Sequence, residues 1–194
     1  MVGGRGSPDQ KATRMWAYRD EAGFSQLIDI LVEASILYLC AKVSAGAEVL
    51  QVFDSWAGNL PEGEFDKWCT GPMARITAGV REIYPDIPII GFPRDAGELY
   101  EDYIAKTGIN AVSIDTSMSL KWARDNLQGK VTLQGNLDPL LVVAGGEKMD
   151  DNVRKIVDTL SGGPFVFNLG HGLVPETPPE NVQRVLDIIR KNDA

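Results

Sequence analysis

Residues 130–171 read KVTLQGNLDPLLVVAGGEKMDDNVRKIVDTLSGGPFVFNLGH. Residues 130–134 are a short run of strand character that gives way to polar Gln134-Gly135-Asn136. Residues 149–160 follow with helical spacing of the apolar positions. Residues 165–168 are again short and apolar, and end in Asn168-Leu169-Gly170-His171. A strand, a helix and a second strand of this length form one crossover unit, which makes the two strands parallel and the connection right-handed.

The same unit recurs toward the N-terminus. Strands are expected over 48–53, 88–92 and 111–114, each short and apolar enough for a buried parallel sheet. Helices are expected over 20–45, 65–83, 98–107, 119–126 and 179–191. Leu27, Leu31, Ala34, Leu37 and Ala41 give the first of these an apolar stripe, taken as its core face. Gly71-Pro72 interrupts the second, which implies a kink or two pieces. Gly108 supplies a C-terminal stop for the third, and Pro179 suits the first turn of the last.

Two parallel architectures compete, an open doubly wound sheet and a (β/α)8 barrel. The dinucleotide fingerprint that would favour the first is absent after every expected strand. Gly3-Gly4-Arg5-Gly6 precedes the first strand and has neither that spacing nor a phosphate-loop lysine. Polar residues instead cluster directly after strand ends: Asp54-Ser55, Arg94-Asp95, Asp115-Thr116, Gln134-Gly135-Asn136 and Asn168 to His171. A barrel enzyme places its chemistry there, although a complete barrel needs roughly 250 residues. The chain has 194 residues. The expectation is therefore an incomplete (β/α)8 TIM barrel, with about five of the eight strands, forming one domain over 1–194.

Composition narrows the function. A net charge of −8 argues against nucleic acid or an anionic membrane as partner, while a local pocket can still take an anionic small molecule. No apolar run approaches the ~20 residues that span a bilayer. The opening MVGGRGSPDQ has no apolar signal core. Cys40 and Cys69 make no disulfide framework, and a small buried thiol in an apolar helix fits a reducing cytoplasm.

Three longer segments carry a resemblance: Gln51-Val-Phe-Asp-Ser-Trp-Ala-Gly58, Val131-Thr-Leu-Gln-Gly-Asn-Leu-Asp-Pro139 and Asn168-Leu-Gly-His-Gly-Leu-Val-Pro175. Together, and in this order, they resemble the uroporphyrinogen decarboxylase family, as does the opening Met1-Val-Gly-Gly-Arg-Gly-Ser7. The resemblance runs over essentially the whole chain. It implies a barrel enzyme, usually a homodimer, that removes carbon dioxide from the four acetate arms of uroporphyrinogen III to give coproporphyrinogen III. It implies no metal or organic cofactor, because a pyrrole ring serves as the electron sink. Ser55 matches the family's strand-end serine, whose hydroxyl binds a substrate carboxylate, and His171 matches a histidine at the cleft wall. The family's pyrrole-facing aspartate and its arm-neutralising arginines belong to earlier strands and have no counterpart here. Its substrate-contacting tyrosine falls one position before Met1. The chain is accordingly expected to be the C-terminal portion of such an enzyme, with little activity in isolation.

From position alone, Ser55 could cap the next helix and His171 could be structural; the glycines beside His171 point toward a cleft. No G-x-S-x-G elbow surrounds Ser55, so it is not read as a nucleophile. Asp54 and Asp115 suit loop hydrogen bonding better than contact with a polyanion. Arg94 and Arg5 could bring positive charge to a cleft or lie on the surface. Asn136 and Asp138 read as a turn that starts a helix, and Gly3, Gly4 and Gly6 as a possible anion cradle. Two other readings stand beside the decarboxylase. One is a corrinoid methyltransferase of the same superfamily with a thiolate-bound zinc, for which Cys40, Cys69 and His171 show no ligand spacing. The other is an inert or ligand-binding fragment.

Overall fold

A helix preceded by Asp20 sets the first element in place. The Asp20 carboxylate accepts from Gly23 N–H at 2.9 Å and from Trp16 Nε1–H at 3.2 Å, closing the exposed amide end of the long helix that follows. A Cβ at position 23 would lie 2.2 Å from that carboxylate, so a larger residue there would have to shift the Asp20 side chain. The computed structural model describes Val2 and residues 9–192; Arg5 and the expected cradle of Gly3, Gly4 and Gly6 lie outside the described residues.

The order is α1 (Lys11–Arg19), α2 (Glu21–Ser44), β1 (Leu50–Asp54), α3 (Glu62–Phe65), α4 (Gly71–Ile83), β2 (Ile89–Pro93), α5 (Tyr100–Thr107), β3 (Ala111–Ser113), α6 (Leu120–Asn126), β4 (Thr132–Leu137), α7 (Pro139–Ala144), α8 (Gly146–Leu160), β5 (Phe165–Leu169) and α9 (Pro179–Asn192). The five strands are all parallel and lie in sequence order, β1-β2-β3-β4-β5. A doubly wound sheet reverses its strand order at a switch point. No reversal occurs here, so right-handed crossovers stack every helix on one face.

That covered face holds the core. Leu50, Ile89, Val112, Ile114, Leu133 and Leu137 are buried beneath α4, α5, α6 and α8. The opposite face carries Gln51, Phe53, Ile90, Phe92, Ser113, Gln134 and Val166, of which Phe53 is 62% and Val166 44% exposed. A parallel sheet needs cover on both faces. Among the described residues, β1 and β5 each have a strand on one side only.

All five expected strands form, α1 and α7 are helices outside the expected ranges, and three further expectations are corrected. The stripe Leu27, Leu31, Ala34, Leu37 and Ala41 does not face the core. Phe24, Val32 and Leu39 are the buried positions of α2, while Leu31, Ala34, Leu37 and Ala41 are exposed. The helix is apolar on every side, so its spacing supports two faces equally. Asn136 is no turn residue: β4 runs on to Leu137, and buried Asn136 donates to the carbonyls of Asp115 at 2.8 Å and Met118 at 3.1 Å. Cys40 is only half-buried, and Cys69 is the buried thiol. Asp138 does start a helix, accepting from Leu140 N–H at 2.9 Å ahead of α7. The Gly71-Pro72 interruption appears as two pieces: Pro72 opens α4, and a wide π turn over Asp66–Thr70 joins it to α3.

Candidate functional site

The uncovered face and the rim at the strand C-termini bring the two motif residues onto one surface. Register places Phe53 of β1 directly beside Phe92 of β2, and their rings meet edge to face with centroids 5.9 Å apart. His171 continues this row, its ring centroid 6.5 Å from that of Phe92. His171 belongs to the segment after β5, three strands away, so the chain has folded back across the rim. Gly170 permits this. Its N–H donates to Leu137 O at 2.8 Å, and a Cβ on it would lie 2.6 Å from Thr116 N. The glycine on the other side of the histidine, Gly172, has nothing within 4 Å. Only one of the two flanking glycines is needed for close approach.

Ser55 follows β1 directly, two residues after Phe53, and is half-buried. The short helical turn after it, Ala57–Asn59, has no side-chain cap, and neither does α3. The hydroxyl is therefore not engaged in capping. Below the rim, Gln134 Nε2 donates to Gln51 Oε1 at 3.2 Å and to Ser113 Oγ at 3.3 Å, a polar rung across the middle of the uncovered face.

Asp115 is buried and its carboxylate is saturated. Burial by itself would raise its pKa. The Ser117 hydroxyl, the N–H groups of Asp95 and Ser117 and the Tyr100 hydroxyl all donate to it and hold it below the ordinary carboxylate range. It ties the β2 and β3 loops together as loop hydrogen bonding. Asp54 lies on the covered side of β1. Burial pushes its carboxyl up, and only partial relief comes from the Cys69 thiol and the Trp56 N–H. Cys69 is in turn pushed far up by burial and by Asp54. Arg94 pairs with Asp95 at 3.4 Å, at the rim. Cys40, Cys69 and His171 do not converge, and among the described residues no group of three or more His, Cys, Asp or Glu could hold a metal ion.

Sequence reasoning named Ser55 and His171 but missed Phe53, Phe92 and the Gln51–Ser113–Gln134 rung. The signal for Phe53 and Gln51 was their two-residue spacing in β1, which puts both on one face. Their exposure depends on which face the helices cover, and that is a tertiary fact.

Parallel strands in sequence order, helices on one face and polar side chains gathered at the strand C-termini define part of a (β/α)8 barrel of the enzyme type. Residues 1–192 match the uroporphyrinogen decarboxylase (URO-D) family, and the chain belongs to it. It is 48% identical over 190 residues to the uroporphyrinogen decarboxylase of Rhodospirillum rubrum, covering 98% of this chain and 55% of that protein. The uroporphyrinogen decarboxylases of Granulibacter bethesdensis and Paracoccus denitrificans are 49% and 47% identical, again over 98% of this chain. The chain thus spans about half the length of the curated relatives it matches. A solved methyltransferase from Methanosarcina mazei shares the fold, with a TM-score of 0.79 at 22% identity over 95% of this chain and 54% of that one. No described helix is long and apolar enough to cross a membrane.

Proposed function

We propose that this chain forms one wall of a uroporphyrinogen decarboxylase cleft and that uroporphyrinogen III lies against the uncovered face of its sheet. The row Phe53–Phe92–His171, with Ser55 beside it, carries this reading. The reduced tetrapyrrole, puckered at its saturated bridging carbons, has an apolar body and carboxylate arms. The exposed Phe53 ring, backed by buried Phe92, suits the body, and the Ser55 hydroxyl and the His171 imidazole suit the arms. Asp115 would repel an arm if it were free, but its oxygens are already held by donors from the chain. The pyrrole-facing aspartate and the arginines that the resemblance places on earlier strands must come from the remainder of a complete barrel, so decarboxylation belongs to the whole enzyme. That enzyme is proposed to be a cytoplasmic homodimer with no organic or metal cofactor.

A chimera tests this: the part of the Rhodospirillum rubrum relative that this chain does not cover, joined to this chain. The chimera converts uroporphyrinogen III to coproporphyrinogen III, whereas the 194-residue chain stays at background. In the chimera, Ser55→Ala raises KM more than it lowers kcat, with kcat/KM reduced by about tenfold or less, the worth of one hydrogen bond to a non-reacting arm. A loss of several thousandfold, or no turnover by a well-folded chimera, overturns the assignment.

A further inference from the structure

A cavity on the helix-covered side of the sheet is not lined by the row Phe53–Phe92–His171. It has a volume of about 640 Å³ and runs between α6 and α8. Its origin is visible in the packing. After α6, Gln128 Nε2 donates to Leu160 O at 2.6 Å and to Pro164 O at 3.3 Å, pinning the C-terminal ends of α6 and α8 together. At the other end, α7 is inserted between β4 and α8, so the two helices are held apart toward Thr116 and Asp138.

The lining is two-sided. Leu137, Leu141 and Ile156 make an apolar floor, and Lys121, Arg124 and Lys155 stand around it. Two carboxylates oppose these three cations. Asp125 is held by Lys121 and Arg124, each at 2.8 Å, and Asp138 caps α7. Lys155 forms no ion pair among the described residues; Asp151, one turn earlier, pairs with Arg154 instead at 3.0 Å. A positive excess of one, three against two, thus faces a cavity in a chain whose net charge is −8. A local positive excess around a space favours the entry of an anion. The volume is that of a small-metabolite site. Every wall comes from the loop before α6 and from α6, β4, α7 with its cap Asp138, and α8, so the cavity does not depend on the open sheet edges.

We propose that this cavity binds an organic polycarboxylate, a molecule with a compact apolar body and two or more carboxylates. The body rests on Leu137, Leu141 and Ile156, and the carboxylates engage Lys155 and the α6 cations. The proposal is independent of the tetrapyrrole reading, because none of Phe53, Ser55, Phe92 and His171 lines the cavity.

Benzene-1,3,5-tricarboxylate is the probe, titrated calorimetrically into the 194-residue chain and followed by amide NMR shifts. The tricarboxylate binds, shifts peaks of α6 and α8, and binds more weakly as salt is raised. The uncharged benzene-1,3,5-trimethanol does not bind. Lys155→Glu and Arg124→Gln, both at exposed positions, each weaken binding, and together they weaken it by roughly tenfold or more. Ser55→Ala and His171→Asn leave it unchanged. Lys155→Gln replaces the glutamate variant should thermal unfolding show that variant to be misfolded. Absence of binding at millimolar probe overturns the proposal, as does equal affinity in the charge variants or loss of binding on His171→Asn instead.

Discussion

Asp115, after the central strand β3, and Asp54, at the end of edge strand β1, occupy the same kind of position in two regions of the sheet. Each ends a strand at the rim, and each leaves water on folding. In the centre, the loop after β2, the start of α5 and the loop that Asp115 itself opens supply it with four donors, and its pKa falls despite burial. At the edge, Asp54 has a thiol and one N–H, burial dominates, and its pKa rises. The difference lies in the neighbours. A central strand end is surrounded by loops whose N–H groups need acceptors, whereas an edge strand has a loop on one side only. The side chains of the uncovered face repeat the contrast, since Phe92, Ser113 and Gln134 of the inner strands are buried while Phe53 and Val166 of the outer strands are exposed.

The largest expected effect comes from the edges. Among the described residues, the outer sides of β1 and β5 carry unpaired backbone groups next to exposed Phe53 and Val166, which is a template for pairing with another chain. The chain should therefore associate at micromolar concentration, seen as a concentration-dependent mass in light scattering. Val166→Lys should weaken that association by roughly tenfold, since a charge on an edge strand opposes pairing. Leu133 lies in the centre, and Leu133→Ala should instead lower stability by about 2–5 kcal/mol and leave the pairing surface intact. A strictly monomeric wild-type chain across the dilution series would erase the distinction between centre and edge.

The strands were legible in the sequence because each is an apolar run bounded by polar or turn residues, a signal that local spacing carries in full. The same logic failed for α2. Its apolar residues surround the helix, so the choice between the Leu31–Leu37 side and the Val32–Leu39 side rests on where α4 packs. It failed for α1 and α7 as well: α1 has little apolar stripe, and Pro139–Ala144 is a single short apolar stretch beside a turn-like Asn-Leu-Asp-Pro. Asn136 was misread because its partners, the Asp115 and Met118 carbonyls, are some twenty residues away. Ser55 and His171 were legible through motif, but their meeting on one surface with Phe92 depends on the chain crossing back at Gly170. No local pattern encodes that crossing.

A smaller effect sharpens the comparison at its central member. Asp115→Asn removes the charge that four donors address and turns one acceptor oxygen into a donor. The loss should be about 1.5–3 kcal/mol at neutral pH, the worth of hydrogen bonding to a charged group. The wild-type pKa is depressed below the ordinary 3.8 on folding. Its contribution is therefore fully present above that value and disappears as the pH falls through the lower folded pKa. Denaturant melts from pH 7 down to pH 2 should show the wild-type advantage shrinking across the acid limb. A constant difference between wild type and variant would assign the effect to shape alone.

Asp54→Asn should act in the opposite direction. The folded pKa of Asp54 is raised from 3.8, so folding favours its protonated form. Above the raised pKa the folded chain ionises Asp54 in a poorly solvated place, and between 3.8 and that pKa it holds a proton that the unfolded chain would release. Both cost stability. Below 3.8 the folded and unfolded chains are both protonated at this position, and the cost is gone. Asparagine is uncharged at every pH and still offers an oxygen to the Cys69 thiol and the Trp56 N–H. It should raise stability by about 1 kcal/mol at pH 7, with the gain fading as the pH falls through the folded pKa. Because Asp115→Asn loses stability and Asp54→Asn gains it, one substitution at two strand ends separates donor supply from burial as the cause. If Asp54→Asn were destabilising at pH 7, the Asp54 charge would have to be met by a partner at the β1 edge, and the contrast between edge and centre would no longer rest on unequal hydrogen bonding.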